Sequence, residues 1–210
     1  KVFQNTQLKK MLKDDFLISR IFQLYSEVEN RISFHKESQS ILKEMSKLDF
    51  LSKVFEENLL DTFFLKRKWT SFDIPSLCVY TSDDFEIRYH FFLPPQSRNT
   101  ETAAYLIHHH KDFILSSYVF FGEGYQTIQF DKEIKTNLDG MYSMKISRDF
   151  FHAKGDINIL DSWKPHVIFN VCTPTATLVL WSKDNNSVMK INQRENYYLD
   201  NHNFVKISDQ

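Results

Sequence analysis

The stretch HHHKDFILSSYVFFGEG, from His108 to Gly124, decides the fold of this chain. It joins three consecutive histidines to a run of strand-forming residues and a glycine-rich turn. Successive side chains on a strand point to opposite faces, so His108 and His110 share one face and His109 takes the other. Two imidazoles spaced in this way form half of a site for a first-row transition metal. The stretch therefore predicts a strand–turn–strand unit that carries two metal ligands.

A second stretch, GDINILDSWKPHVIFN, from Gly155 to Asn170, supplies the expected third ligand, His166. It reads as a strand, a turn and a second strand that begins near this histidine. Gly122 lies twelve residues after His110, and His166 lies eleven residues after the glycine of the second stretch. This order and spacing resembles the two motifs of the cupin superfamily. The resemblance implies a jelly-roll-like β-barrel in which His108, His110 and His166 meet at one metal ion.

The rest of the chain reads as two unlike parts. Residues 7–65 contain no proline or glycine, and their apolar residues recur at helical spacing. From Ser76 onward, short runs rich in Val, Ile, Phe, Tyr and Thr alternate with turn residues, as in an all-β sandwich or barrel. We expect a mainly β protein of one structural domain. A helical segment, residues 1–72, packs against a single cupin barrel, residues 73–210.

Leu115 marks a departure from the common cupin pattern. Five residues after the second histidine, cupins commonly have a glutamate that binds the metal, and this chain has Leu115 instead. The expected ligand set is then three neutral histidines, which leave an Fe(II) ion its full double charge and favour an anionic substrate. In this respect the chain resembles the thiol dioxygenases, cysteine dioxygenase above all. HHHKD looks like the H-x-H-x-D of that family, with Asp112 at the aspartate.

This resemblance implies a function and further site residues. It implies a mononuclear non-haem Fe(II) dioxygenase or oxygenase that acts with O2 on a small metabolite bearing a thiol or carboxylate; Ni, Mn and Zn are the other metals considered. Trp181 stands where the family has a tyrosine, and Leu115 where it has a cysteine. Together with Arg88, the nearest candidate for a carboxylate-binding arginine, these two are expected to contact the substrate. Asp112 and Asn170 are expected to support the metal ligands from behind.

Other interpretations of the histidines stay open at this point. His110, Asp112 and His166 could form a two-histidine, one-carboxylate set. The metal could act only as a Lewis acid in a lyase, isomerase or decarboxylase. The barrel could also be a non-catalytic ligand sensor. His109 is expected to face outward, at the surface or behind the ligands, and His90 and His152 are expected to be structural.

Composition limits the partners and the compartment. A formal net charge of −1 gives no general attraction to nucleic acid or to an anionic membrane. There is no apolar run of transmembrane length and no secretory signal pattern. Two cysteines, Cys78 and Cys172, fit a reducing compartment and are interpreted as small buried residues. We expect a cytoplasmic monomer or homodimer with a small-molecule substrate.

Overall fold

A computed structural model describes residues 15–60, 74–94, 107–136, 142–169, 171–184, 186, 196–199 and 205–206. The chain begins there with four helices, which are α1 (Phe16–Glu27), α2 (Arg31–Glu37), α3 (Gln39–Met45) and α4 (Leu48–Leu60). Asp15 and Asn30 cap α1 and α2, since their side chains accept hydrogen bonds from backbone N–H groups of the first turn. None of these described helices combines the length and apolar character that crossing a bilayer requires.

Antiparallel strands form the remainder of the described chain. They are β1 (Ser76–Thr81), β2 (Phe85–Phe92), β3 (Ile107–His108), β4 (Phe113–Phe121), β5 (Gly124–Thr136), β6 (Tyr142–Ala153), β7 (Ile157–Leu160), β8 (His166–Phe169), β9 (Thr175–Lys183), β10 (Asn196–Leu199) and β11 (Val205–Lys206). One sheet has the order β1-β2-β9-β4-β7, and the other pairs β10-β11-β6-β5-β8-β3 in a closed ring. The prediction of a mainly β barrel with N-terminal helices is confirmed. The expected boundary at residues 72 and 73 lies outside the described residues.

The two faces of the first sheet meet different surroundings, as the side chains of β2 illustrate. Phe85, Ile87 and Tyr89 are almost fully buried and join the core formed with the helices. Glu86, Arg88 and His90 alternate with them and line a cavity on the opposite face. The apolar face of this strand therefore meets the helical segment, and the polar face meets the interior of the barrel.

A buried histidine fastens the helices to this sheet. His35 on α2 is fully buried, with Nδ1 2.8 Å from Oγ of Ser116 on β4 and Nε2 2.9 Å from Oγ of Ser182 on β9. Burial lowers the pKa of His35 to about 3, and the charge of Arg31 adds to the shift. His35 is therefore neutral at pH 7 and connects α2 to two strands at once. The predicted packing of the helical segment on the barrel is confirmed.

The edge of the first sheet is also closed by a helix. Asn58 on α4 donates from its amide to the carbonyl of Cys78 at 2.8 Å and accepts from the Cys78 backbone N–H at 3.1 Å. β1 is the edge strand, and an unpaired edge would leave these backbone groups buried without partners. A single side chain thus replaces a missing strand at this position.

Candidate metal centre

Three histidines from two strands and one turn meet inside the barrel. His108 on β3 lies directly opposite His166 on β8 in the strand register, and His110 follows two residues after His108. The ring centroids are 4.3 Å apart for His108 and His166, 5.1 Å for His108 and His110, and 5.0 Å for His110 and His166. One ring nitrogen from each lies within 4.8 Å of the other two. The structure therefore brings together the three residues that the sequence singled out.

A tight turn directs the two histidines of the H-x-H motif to one side. Lys111 has a φ of 54°, and its N–H donates to Nδ1 of His109 at 3.0 Å. Its carbonyl accepts from the Trp163 N–H at 2.7 Å. His109 lies 5.0 Å from the Trp163 ring, centroid to centroid, and only 6% of its surface is exposed. His109 points away from the cluster, but the expected surface position is wrong, because this histidine is buried and braces the turn.

Two of the three histidines are held in the neutral state that metal binding requires. Burial lowers the pKa of His110 well below its usual value, and the neighbouring His108 adds to the shift. The same two causes lower the pKa of His166. Neutral imidazoles offer lone pairs at pH 7, so no proton has to leave before a cation binds.

The donor set fits a divalent first-row transition metal. Nδ1 of His166 is buried and has no hydrogen-bond partner among the described residues. Among the same residues, the group of close ligand atoms contains only His108, His110 and His166, without a carboxylate or a thiolate. Asp112 is not part of it, so the alternative set with one carboxylate is not the one that the structure assembles. Imidazole nitrogen suits Fe, Ni, Cu and Zn rather than Mg or Ca.

The cluster opens on a cavity of about 360 Å³ between the two sheets. This volume is at the lower end of the range for small-molecule sites. Leu115, Trp181 and Arg88 all line it, as the sequence predicted for residues near the substrate. Their contact with a substrate stays a prediction. Nε of Arg88 donates to Oε1 of Glu86, which also lines the cavity.

Leu115 contributes to an apolar wall of this cavity. It packs with Leu160 and Val179 in a small cluster against which Trp181 rests, and 8% of its surface is exposed. The Trp181 ring lies 6.1 Å from the His110 ring. At the position where cupins commonly have a glutamate ligand, this chain therefore has an apolar side chain beside the histidines.

A polar network in the same wall was not predicted from the sequence. The Tyr125 hydroxyl lies 3.3 Å from Oγ of Ser117 and 3.3 Å from Nδ1 of His152. Nε2 of His152 lies 3.1 Å from the carbonyl oxygen of Asp156, which can only accept, so Nε2 carries the proton and Nδ1 accepts from the tyrosine. Burial raises the pKa of Tyr125 to about 12.

His90 also lines the cavity, although it was expected to be purely structural, as was His152. Burial lowers its pKa to about 3, and the charge of Arg88 adds to the shift. The sequence signal was the alternation in FEIRYHFF, which places this histidine on the same face as Arg88.

The remaining predicted residues lie near the cluster or outside the described chain. The backbone carbonyl of Asp112 accepts from the Asp184 N–H at 2.7 Å, and support of the ligands by its side chain stays a prediction. Asn170 lies outside the described residues. Cys78 and Cys172 form no disulfide with each other. Cys78 is buried as expected, but Cys172 is exposed, because it lies in the loop between β8 and β9.

Comparison with known proteins gives structural similarities of low score. No family model and no curated protein matches the sequence. A cupin domain of Cnp3 from Schizosaccharomyces pombe has 10% identity and a TM-score of 0.36, over 53% of this chain and 65% of that one. The DMSP lyase DddQ from Ruegeria pomeroyi has 15% identity and a TM-score of 0.33, over 55% and 49%. A predicted oxalate decarboxylase from Thermotoga maritima has 16% identity and a TM-score of 0.35, over 52% and 80%.

With such identities and TM-scores, these similarities carry no argument about the family or the function of this chain. The function must therefore be argued from the residues of this chain. They form a mainly β barrel whose interior holds three histidines beside a small cavity.

Proposed function

We propose that His108, His110 and His166 hold a single Fe(II) ion and that the protein is a mononuclear non-haem oxygenase of the three-histidine cupin type. Its substrates would be O2 and a small metabolite bearing a thiol or a carboxylate. The observation that carries the proposal is the cluster of three histidines, without a carboxylate among its close ligand atoms, at the wall of a cavity of about 360 Å³. Insertion of dioxygen into a thiol is the most specific version.

The ligand set supports both the redox metal and an anionic substrate. When bound, Fe(II) supplies the one-electron and O2 chemistry that amino-acid side chains lack. Three neutral histidines occupy only part of a coordination sphere and leave the double positive charge of the ion uncompensated. A thiolate or carboxylate of the substrate would balance this charge.

The protein's own residues bind the ligands and keep water away. Leu115, Leu160 and Val179 form an apolar wall, which lowers the local dielectric and strengthens the attraction between the site and an anion. Trp181 covers the side next to His110. The Tyr125–His152 pair offers a hydroxyl whose proton is directed to Nδ1 of the histidine.

The cysteine content and the formal charge bear on the compartment and on the partner of the protein. A content of only two cysteines, Cys78 and Cys172, favours a reducing compartment such as the cytoplasm. The formal charge of −1 favours a small molecule, rather than nucleic acid or a membrane, as the partner. We propose a monomer or a homodimer.

The test of this function is oxygen consumption by the iron-loaded protein. Protein loaded with Fe(II) under anaerobic conditions is mixed with small thiols and small carboxylates, one at a time, and O2 uptake is recorded. We expect uptake that depends on both substrate and iron and that disappears in His166→Ala. Product formed at an unchanged rate without O2 would contradict the oxygenase and support a lyase, isomerase or decarboxylase instead.

A further inference from the structure

Besides Nδ1 of His166 in the three-histidine cluster, two buried polar atoms in the cavity wall have no hydrogen-bond partner within the described chain. They are Nε2 of His90 on β2 and Oγ1 of Thr177 on β9. Both residues line the cavity, and Thr177 is fully buried. A buried polar atom without a partner destabilises the folded state, and such atoms are uncommon in folded proteins. Their presence here therefore requires an explanation.

The two orphan groups are neighbours. His90 and Thr177 are directly paired in the register of β2 and β9, and both side chains point to the cavity face. Cβ atoms of directly paired residues lie about 4.5–5.5 Å apart, so one small group can reach both side chains. The His90 ring lies 5.2 Å from the Trp181 ring, which is 6.1 Å from the His110 ring. The Trp181 ring thus lies next to both His90 of the pair and His110 of the cluster.

We propose that His90 and Thr177 form a subsite that binds an oxygen substituent of the substrate, preferably an anionic one, while another group of the same molecule faces the three-histidine cluster. The substrate class is a small molecule with two polar ends, one of which is a carboxylate. This inference rests on the proposed function only in taking the cavity as the substrate site.

The preference for an anion follows from the donors and from the local charge. A neutral imidazole with its proton on Nε2 and a threonine hydroxyl are two donors that can meet one carboxylate. Arg88 makes the potential at His90 positive, since its charge is a cause of the lowered pKa there. The guanidinium itself is engaged by Glu86. The sequence suggested Arg88 as the residue that binds the substrate carboxylate directly. In this proposal that role passes to His90 and Thr177, whose polar atoms have no hydrogen-bond partner within the described chain.

The first test needs neither metal nor substrate. Thr177→Val removes the hydroxyl at constant shape, and we expect the melting temperature of the metal-free protein to rise by about 2–4 °C, because an unsatisfied polar atom is lost. Thr175→Val on the same strand is the matched control. Its hydroxyl is buried but bonded to the carbonyls of Thr173 and Gly124, so this variant should melt lower than the wild type. A melting temperature for Thr177→Val equal to or below that of the wild type would overturn the inference that the Thr177 hydroxyl is buried without a hydrogen-bond partner.

The second test measures binding, with 3-mercaptopropionate and cysteamine as probes. They share a thiol on a two-carbon chain and differ in a carboxylate against an ammonium group. On protein loaded with redox-inert Zn(II), we expect 3-mercaptopropionate to bind more tightly than cysteamine. We expect its dissociation constant to rise about tenfold in Thr177→Val and in His90→Leu, and to stay near the wild-type value in Thr177→Ser. Equal affinity in wild type and Thr177→Val, or no binding of either probe to the loaded wild type, would overturn the subsite.

Failure of the proposed function looks different from failure of the subsite. If the wild type takes up no metal, the metal centre is wrong, and the melting temperatures of the two threonine variants still decide whether the orphan pair exists. If metal binds and the variants bind both probes like the wild type, the subsite is wrong and the metal centre stands.

Discussion

The packing of the helical segment on the barrel should weaken in acid. Protonation of His35 should account for a defined part of the stability that the protein loses. The perturbation is a fall in pH from 7.5 to 4.5, applied to the wild type and to His35→Gln. Glutamine keeps an amide that can hydrogen-bond to Ser116 and Ser182, but it does not titrate.

The magnitude follows from the burial of this residue. His35 has a pKa of about 3 in the folded protein against an ordinary value of 6.5, so the unfolded chain binds the proton more readily than the folded one. The neutral histidine therefore contributes stability above pH 6.5, and this contribution is lost as the pH falls towards 3. Each pH unit below 6.5 lowers the free energy of unfolding by about 1.4 kcal/mol, which gives about 3 kcal/mol at pH 4.5.

Urea unfolding followed by circular dichroism at several pH values measures this difference. Other buried histidines steepen the curves of both proteins equally, so the comparison isolates His35. We expect the free energy of unfolding to fall more steeply with falling pH in the wild type than in His35→Gln. The difference in slope should be about 1.4 kcal/mol per pH unit between pH 6 and 4.5, because the unfolded wild-type chain binds one more proton than the folded one. Parallel curves would refute the reasoning, because they would mean that His35 is already charged in the folded state or that its segment is not docked.

Substitutions at four positions test other parts of the structure. Gly122→Ala should lower the free energy of unfolding by about 3 kcal/mol or more, because φ is +83° and the new Cβ would lie 2.7 Å from Oγ1 of Thr175. Gly155→Ala should lower it by only about 1–2 kcal/mol, because φ is +94° but the new Cβ would meet open space. Leu115→Glu should lower the melting temperature of the metal-free protein more than Leu115→Gln does, and added Zn(II) should recover part of the loss only for the glutamate. Asn58→Ala should cost about 1–3 kcal/mol, measured by urea unfolding, because the edge of β1 loses its partner.

The three-histidine cluster was predictable because strand alternation and motif spacing act over short distances. Alternation assigned His108 and His110 to one side, and the turn at Lys111 preserved that assignment although only the first of the two histidines lies on a strand. The glycine spacing identified a turn whose positive φ the structure shows at Gly122. Each of these features depends on a few neighbouring residues.

The rest of the cavity was harder to predict because it depends on which face of a sheet meets which neighbour. On β2 an apolar face alternates with a face of Glu86, Arg88 and His90, and the usual expectation turns the apolar face towards the barrel interior. Here the helices cover that face, so the polar face lines the cavity. The burial of His109 has a similar origin, since Trp163 is distant in sequence and reaches it through a separate turn.

The most direct test of the three-histidine metal centre is the metal content of the purified protein. Protein prepared without chelator and supplied with Fe(II) or Zn(II) is analysed by elemental mass spectrometry, with circular dichroism to confirm folding. We predict one metal ion per wild-type chain and per Asp112→Asn chain, and a loss of at least tenfold in affinity for His108→Ala, His110→Ala and His166→Ala. Folded histidine variants that keep a full equivalent of metal, or a folded wild type that takes up none, would contradict this centre.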